Sequence, residues 1–512
     1  MIVSIAITLL GLIAAGIALM LLKDVLWFVR SLKYIKQGIP VRYYPFLGYN
    51  KHMDNPNNEN GLADFMKLFE NPKKKNKTED VILVNGFTTP LIFINHKDLV
   101  KEYHQRETEV THLQNMFKFP APNTFVFSKD MHRIKNARSI FSEIFYPVNL
   151  RKQTPQLKAI AQRHFNRIRD EVKKAQAQGK QLPEIELKRF MKVIFADSVS
   201  YVLFGGEFPE VDGQPLVNHI GSLSSAYFAN SISSLNAITM GLSTKLGLDP
   251  EFNKAKQLME RVIQKIKQVV IERENNKNYQ FGCNTVDLLI LKNRELEAQG
   301  KTELVMNREQ IANNIFAMIF AGMDTSKNFT EACFFKLSHD QALQEQLRQS
   351  VRKEILDTGN GEVYDKYVQS ELLENLIKES LRLWTPAAMS FHRRIVKTFK
   401  LGPYTLHKGD LVILSLTTLM TKPEVWKKPM QFDLEKYKDK KRIKDLSRSA
   451  YVPFSAGKRS CIGKNLAEIM VRLILSNFVD QFELQKSEEP NRRYMAMAMA
   501  LKHCKARLLL LK

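Results

Sequence analysis

Apolar residues fall into a few distinct patterns along this chain, and each pattern predicts an element. No charged residue occurs over residues 2–22, and a helix of that length reaches about 30 Å, the thickness of a bilayer's hydrocarbon core. The run predicts one N-terminal transmembrane helix, residues 1–22. Its faces are apolar all round, unlike those of a surface helix on a globular core. It lacks a basic leading region and exceeds the roughly 7–15 apolar residues of a cleaved signal peptide. Lys23, Arg30, Lys33 and Lys36 follow, so the positive-inside bias places the remaining chain in the cytoplasm. Gly38, Pro40, Pro45 and Gly48 then disfavour helix, which makes residues 23–48 a basic, proline-containing hinge.

Beyond the hinge no repeat or long linker divides the chain, and residues 49–512 read as one domain. Residues 81–84 and 87–94 flank Asn85-Gly86, which predicts a hairpin with a two-residue turn. The run Lys73, Lys74, Lys75 and Lys77 reads as a solvated loop. Helical spacing recurs from about 155 to 204 and again over 251–274, where Met259, Val262, Ile263 and Ile266 share one face. Residues 310–335 form a long helix with an almost wholly apolar centre, and 372–384 an amphipathic one. Residues 222–243 carry no charge and are expected to be partly buried or to face a membrane. The last strands fall between 494 and 510.

Composition sharpens this reading. The 22 glycines and 19 prolines fall below the average usage of about 12%, which favours a mainly α fold with small β-sheets. A net charge of +24 suits nucleic acid, an anionic membrane surface or an acidic protein partner. No nucleic-acid motif accompanies it, so nucleic acid is not an expected partner. Cys283, Cys333, Cys461 and Cys504 are too few and too far apart for a disulfide framework or a Cys-x-x-Cys zinc site. A reducing compartment follows as the expectation.

One of these cysteines sits in a pattern suited to chemistry. A thiolate that ligates iron must be deprotonated and approached by backbone N–H groups, which neighbouring glycines permit. Cys461 lies between Gly457 and Gly463, and Leu466, Ile469, Met470 and Leu473 behind it repeat at helical spacing. The sulfur therefore stands at a helix N-terminus, whose dipole favours negative charge. Arg459 adds a cation able to pair with a carboxylate of the bound group. The whole segment, Phe454-Ser455-Ala456-Gly457-Lys458-Arg459-Ser460-Cys461-Ile462-Gly463, resembles without mismatch the haem-binding loop of the cytochrome P-450 superfamily, Phe-x-x-Gly-x-Arg-x-Cys-x-Gly. In that family the cysteine is the axial thiolate of haem b, and it pushes electron density to favour O–O cleavage.

Other segments extend the resemblance. Ala321-Gly322-Met323-Asp324-Thr325-Ser326 interrupts an apolar helix with polar groups, and a Thr hydroxyl there can bond back one turn. It is similar to the family's oxygen-activation helix, which implies that Thr325 and Asp324 deliver protons to iron-bound dioxygen. Glu379 and Arg382 lie three apart on one helix face and resemble the family's Glu-x-x-Arg signature. The usual third arginine is replaced by Lys436, which lacks the guanidinium fork. Arg393 takes the place of a family arginine that reaches a haem propionate, with Arg394 one register away. Arg138 keeps the second propionate position, while Ile134 stands where the family has tryptophan.

The resemblance implies the cytochrome P-450 fold and a membrane-anchored, microsomal-type haem-thiolate monooxygenase. Such an enzyme inserts one atom of O2 into a hydrophobic small-molecule substrate, with electrons from an NADPH-dependent flavoprotein reductase and the endoplasmic reticulum membrane as its location. No Gly-x-Gly-x-x-Gly loop occurs in the chain itself. Two alternatives stay open: a thiolate-haem isomerase or dehydratase, against which the Asp324-Thr325 pair argues, and a haem-binding membrane protein without turnover. Ile319, Phe320, residues 387–391, Met495, Met497 and Met499 are the candidate pocket residues.

Overall fold

The computed structural model describes residues 2–44, 61–73, 77–85, 89–112, 124–126, 131–180, 183–232, 242–356, 363–487, 493–495, 499–501 and 503–511. Helices dominate, with small sheets beside them. The central element is the helix Arg308–His339. Its start is a capping box, in which the Asn307 side chain accepts from Gln310 N and the Gln310 side chain accepts from Asn307 N, both at 2.9 Å. It packs against the helices Leu187–Phe204, Pro250–Asn275, Glu371–Trp384 and Lys464–Gln481. Neighbours on several sides account for its lack of a polar face: Ile311, Ile315, Ile319 and Met323 are all buried.

The helices expected at 251–274, 310–335 and 372–384 occur as Pro250–Asn275, Arg308–His339 and Glu371–Trp384. The single run expected from 155 to 204 is two helices, Pro147–Ala177 and Leu187–Phe204, with a strand Glu184–Glu186 between them. Gly179, with φ of 86°, ends the first by taking a left-handed conformation. Pro155 lies inside that first helix and does not begin it; Pro147 does.

Six strands form the main sheet, in the order Val41–Arg42, Val81–Asn85, Pro90–Ile94, Leu411–Leu414, Arg393–Ile395, Val110–His112. The expected hairpin is present, but Asn85 pairs with Pro90, so the connection is four residues and not two. The reason is tertiary. The Asn85 side chain accepts from Tyr44 N at 2.8 Å and donates to Tyr44 O at 2.6 Å, which holds Asn85 in the strand. Gly86 and Phe87 lie outside the described residues, as do Pro45, Gly48, Lys74, Lys75 and Met497. A second sheet joins Phe482–Lys486, Lys505–Leu510 and Glu184–Glu186. Of the expected C-terminal strands, Arg493–Met495 pairs with Met499–Leu501.

The N-terminal helix runs from Ile2 to Ile35, so residues 23–35 of the expected hinge are helical. Gly38, with φ of 78°, and Pro40 follow its end. Lys23, Asp24, Trp27, Ser31 and Tyr34 are buried at helical spacing. Tyr34 donates to Asp410 at 2.6 Å and Lys33 pairs with the same carboxylate at 2.6 Å, which fastens this half of the helix to the domain. Among the described residues no helix is long and apolar enough to cross a membrane. The transmembrane helix expected for 1–22 is thus not found among the described residues, which leave out the side chains of 1–9, 12 and 13. The part of this helix with described side chains includes Lys23, Asp24, Arg30 and Lys33, which follow the uncharged run. Of the uncharged stretch 222–243, Leu223 and Tyr227 are buried, Tyr227 edge-on against Phe252 at 4.9 Å, and residues 233–241 lie outside the described residues.

Candidate active site

The loop that carries Cys461 lies at the seam between two apolar clusters. Val452 and Ala456 belong to the cluster built on the sheet, while Phe454, Ile462 and Leu466 pack against the helical one. Ser455 and Gly457 have φ of 57° and 72°, which turns the chain sharply enough for Cys461 N to donate to Phe454 O at 2.8 Å. Gly457 meets two demands: a Cβ there would be strained by φ and would collide with Glu107 Oε1. At Gly463 the demand is weaker, because a Cβ would sit 3.9 Å from Cys461 Sγ, an ordinary contact.

Gly463 is the N-cap of the helix Lys464–Gln481, which puts Cys461 two residues ahead of that cap. Cys461 is accessible, yet protein surrounds it closely enough that burial pushes its thiol up. The Gly463 N–H and the charges of Arg138 and Lys464 pull the other way without overcoming burial. A thiol in this state gives up its proton when a metal takes its place.

Three guanidiniums from distant parts of the chain converge beside the loop. Arg138, on the helix Met131–Ile144, donates to Ser460 O at 2.6 Å. Arg459 donates to Phe125 O at 3.4 Å. Arg393, on its strand, is buried over the Tyr103 ring, with Nη1 3.8 Å from Glu107 Oε1. Burial, Arg393 and Arg138 together bring the Arg459 pKa down to about 10. Strand alternation resolves the register between the two neighbouring arginines: Arg394 instead donates to Gly409 O at 2.7 Å. Ile134 is buried one turn before Arg138, and its side chain offers no donor.

On the central helix Thr325 donates to Ala321 O at 2.7 Å, the back-bond expected from the sequence. Asp324 and Thr325 are both half-buried, and Ala321 is exposed. Among the described residues no hydrogen bond or ion pair joins them to the cysteine loop. Of the candidate pocket residues, Ile319, Phe320, Ala388 and Met499 are buried and Phe391 is exposed. Met499 helps line a cavity of about 20 Å³ with Asn328, Trp384 and Thr385. That is room for about one water and not for a substrate.

The Glu-x-x-Arg pair is fully buried and bidentate, with Arg382 Nε and Nη2 2.7 and 2.8 Å from the Glu379 oxygens. Lys436 occupies the third position and reaches Glu379 Oε1 at 3.2 Å. Tyr437, which the sequence pattern did not flag, adds its hydroxyl to Oε2 at 2.9 Å. Glu107 was also missed. It sits between His104, Arg393 and the cysteine loop, and no local pattern announces it.

With this geometry in place, the comparisons decide the family. The Cytochrome P450 family model matches residues 44–510. The chain belongs to the cytochrome P450 family. It is similar to Cytochrome P450 709B3 of Arabidopsis thaliana, 24% identical over 80% of this chain and 77% of that one. It is 25% identical to Cytochrome P450 26B1 of Rattus norvegicus over 69% of this chain and 64% of that one. Cytochrome P450 6B1 of Papilio polyxenes is 23% identical over 80% and 81% of the two chains. Among solved structures, the heme domain of cytochrome P450DA superposes with a TM-score of 0.74 at 16% identity, covering 93% of this chain and 98% of that one.

Members of the cytochrome P450 family bind haem and are monooxygenases, oxidoreductases that incorporate oxygen. The residues in place fit that group. Cys461 offers a sulfur donor set in a loop at a helix start. Burial, with the charges of Arg393 and Arg138 added to it, depresses Arg459, and the two propionates of a haem would offset that clustering of positive charge.

Proposed function

We propose that this cytochrome P450 binds haem b through Cys461 and inserts one atom of O2 into a hydrophobic small molecule, the other atom leaving as water. Two electrons and two protons balance the reaction. The electrons originate in NADPH and arrive through a separate flavoprotein reductase, drawn to a basic face by the +24 charge. The observation that carries this reading is the convergence of Arg138, Arg393 and Arg459 on the loop of Cys461.

In this proposal the Gly463 N–H and Arg138 hold the Cys461 thiolate, and Phe454 and Gly457 shape its loop. Arg138, Arg393 and Arg459 bind the two propionates. Haem, when bound, supplies the centre at which O2 is reduced and activated. Thr325 passes a proton from its hydroxyl after turning away from Ala321 O, and Asp324, half-buried beside it, restores that proton from solvent. A positioned donor of this kind is worth about 10² to 10⁴ in rate. We further place the protein in the endoplasmic reticulum membrane with a single N-terminal span and the domain on the cytoplasmic side. The uncharged run 2–22 and the basic residues behind it support that topology.

The test is the reduced, carbon monoxide-bound spectrum of the purified protein. Thiolate ligation is expected to give the red-shifted Soret band, and Cys461→His is expected to abolish it while haem remains bound. An unchanged band in that variant overturns the proposal.

A further inference from the structure

Glu107 is a carboxylate where the fold has little reason to bury one. It follows the helix Lys97–Gln105 in a short turn, Glu107–Glu109, and is 4% exposed. A buried carboxylate is costly unless charged and polar groups close around it. Here they do. His104 Nδ1 lies 3.2 Å from Oε1, Arg393 Nη1 lies 3.8 Å from the same oxygen, and Lys458 N donates to Oε2 at 2.6 Å. Burial works against the charged form, but His104, Arg393 and the Lys458 N–H outweigh it and hold the carboxyl below its ordinary value.

These partners belong to the candidate site. Lys458 is three residues before Cys461, and Gly457 beside it leaves no room for a Cβ against Glu107. Among the described residues the loop from Gly457 to Cys461 is fastened by Glu107 at Lys458 N, Arg138 at Ser460 O, Phe125 O at the Arg459 guanidinium, and Phe454 O at Cys461 N. The last three stay within the helical core or the loop itself. The Glu107 fastening alone ties the loop to the turn ahead of the sheet strand Val110–His112. The same carboxylate also acts electrostatically on Arg138 and Arg459, opposing the lowering that burial imposes on both.

We propose that Glu107 is a positioning residue for the thiolate loop, holding its path by the Lys458 hydrogen bond and setting the charge felt at the sulfur's ligand site. The proposal rests on Cys461 as the haem ligand. Two consequences separate. A negative charge near a redox centre opposes its reduction, so removing the charge moves the reduction potential of the bound haem upward. Removing the acceptor oxygen as well frees the loop, and the thiolate bond weakens.

The experiment uses the full-length haem-loaded protein as parent, Glu107→Gln and Glu107→Ala, with equilibrium redox titration, the carbon monoxide difference spectrum and haem content as readouts. Glu107→Gln keeps an acceptor oxygen and is expected to retain the thiolate band while its potential rises. Glu107→Ala is expected to lose part of the thiolate band to the shorter-wavelength form, which the Gln variant does not. Potentials and bands identical to the parent in both variants overturn the role of Glu107. If the Ala variant does not fold, the potential of Glu107→Gln decides the matter. A parent without any thiolate band overturns the Cys461 reading itself and this proposal with it.

Discussion

Glu379 with Arg382, and Glu331 with Lys327, are both oppositely charged pairs one turn apart on buried helices, and in both the acid is fully enclosed. Their surroundings differ. Glu379 receives five donors: two from Arg382, the Lys436 ammonium, the Tyr437 hydroxyl and Asp433 N. The rest of the Arg382 fork goes to the carbonyls of Met420, Pro429 and Gln431, and its guanidinium lies 5.1 Å from the Trp426 ring centre. Glu331 has only Lys327 Nζ, at 3.4 Å from Oε1, and its Oε2 finds no partner among the described residues. Lys327 makes its shorter bond, 2.6 Å, to Asn328. Burial accordingly pushes the Glu331 carboxyl above its ordinary value, with Lys327 and Lys188 opposing that shift.

The contrast teaches that enclosure alone does not make an ion pair stabilising. Desolvation exceeds the attraction of the two charges unless neighbouring donors complete both partners. The Glu379 site has that completion, drawn from the segment 420–437, so it welds that segment to the helix. The Glu331 site does not.

The largest effect is therefore expected at Arg382. Arg382→Ala strands a buried carboxylate, at a cost of about 3 to 5 kcal/mol, and should yield little folded, haem-loaded protein. Normal haem content and melting would show that the other donors suffice. Next comes Lys436→Met, which removes one charge-assisted bond of about 2 kcal/mol and keeps the side chain's length. Chemical denaturation should show that loss; a midpoint equal to the parent's would remove Lys436 from the network.

Smallest of the three is Glu331→Gln, expected within about 1 kcal/mol of the parent at low pH. Its value lies in the pH dependence. The folded state binds the Glu331 proton more tightly than the unfolded one, so the parent's stability is full below the ordinary value of 4.5. It falls as pH rises from there toward the raised native value. Glu331→Gln should remove that decline, so the variant gains on the parent as pH increases. Parallel stability curves for the two would mean that Glu331 titrates as an ordinary carboxyl.

Much of the architecture is legible in the order of residues alone. The helices at 251–274, 310–335 and 372–384 were bounded to within a few residues because apolar spacing is a local signal. The break between Ala177 and Leu187 was not, because both flanking helices are amphipathic and Gly179 is only one residue. The two-residue turn at Asn85 failed for a different reason. Its dipeptide favours a turn in isolation, but two hydrogen bonds to Tyr44 hold Asn85 in the strand.

The candidate site divides along the same line. Residue order by itself marked the Cys461 loop, the Thr325 back-bond and the Glu379–Arg382 pair. In each, the chemistry is carried by residues within a few positions of one another, where spacing along the chain translates directly into spacing in space. Tertiary structure alone chose Arg393 over Arg394, brought Tyr437 to Glu379, and set Glu107 against Lys458, 351 residues away. A buried charge is satisfied by whichever groups the packed fold delivers to it, and over such separations no pattern in the sequence names them.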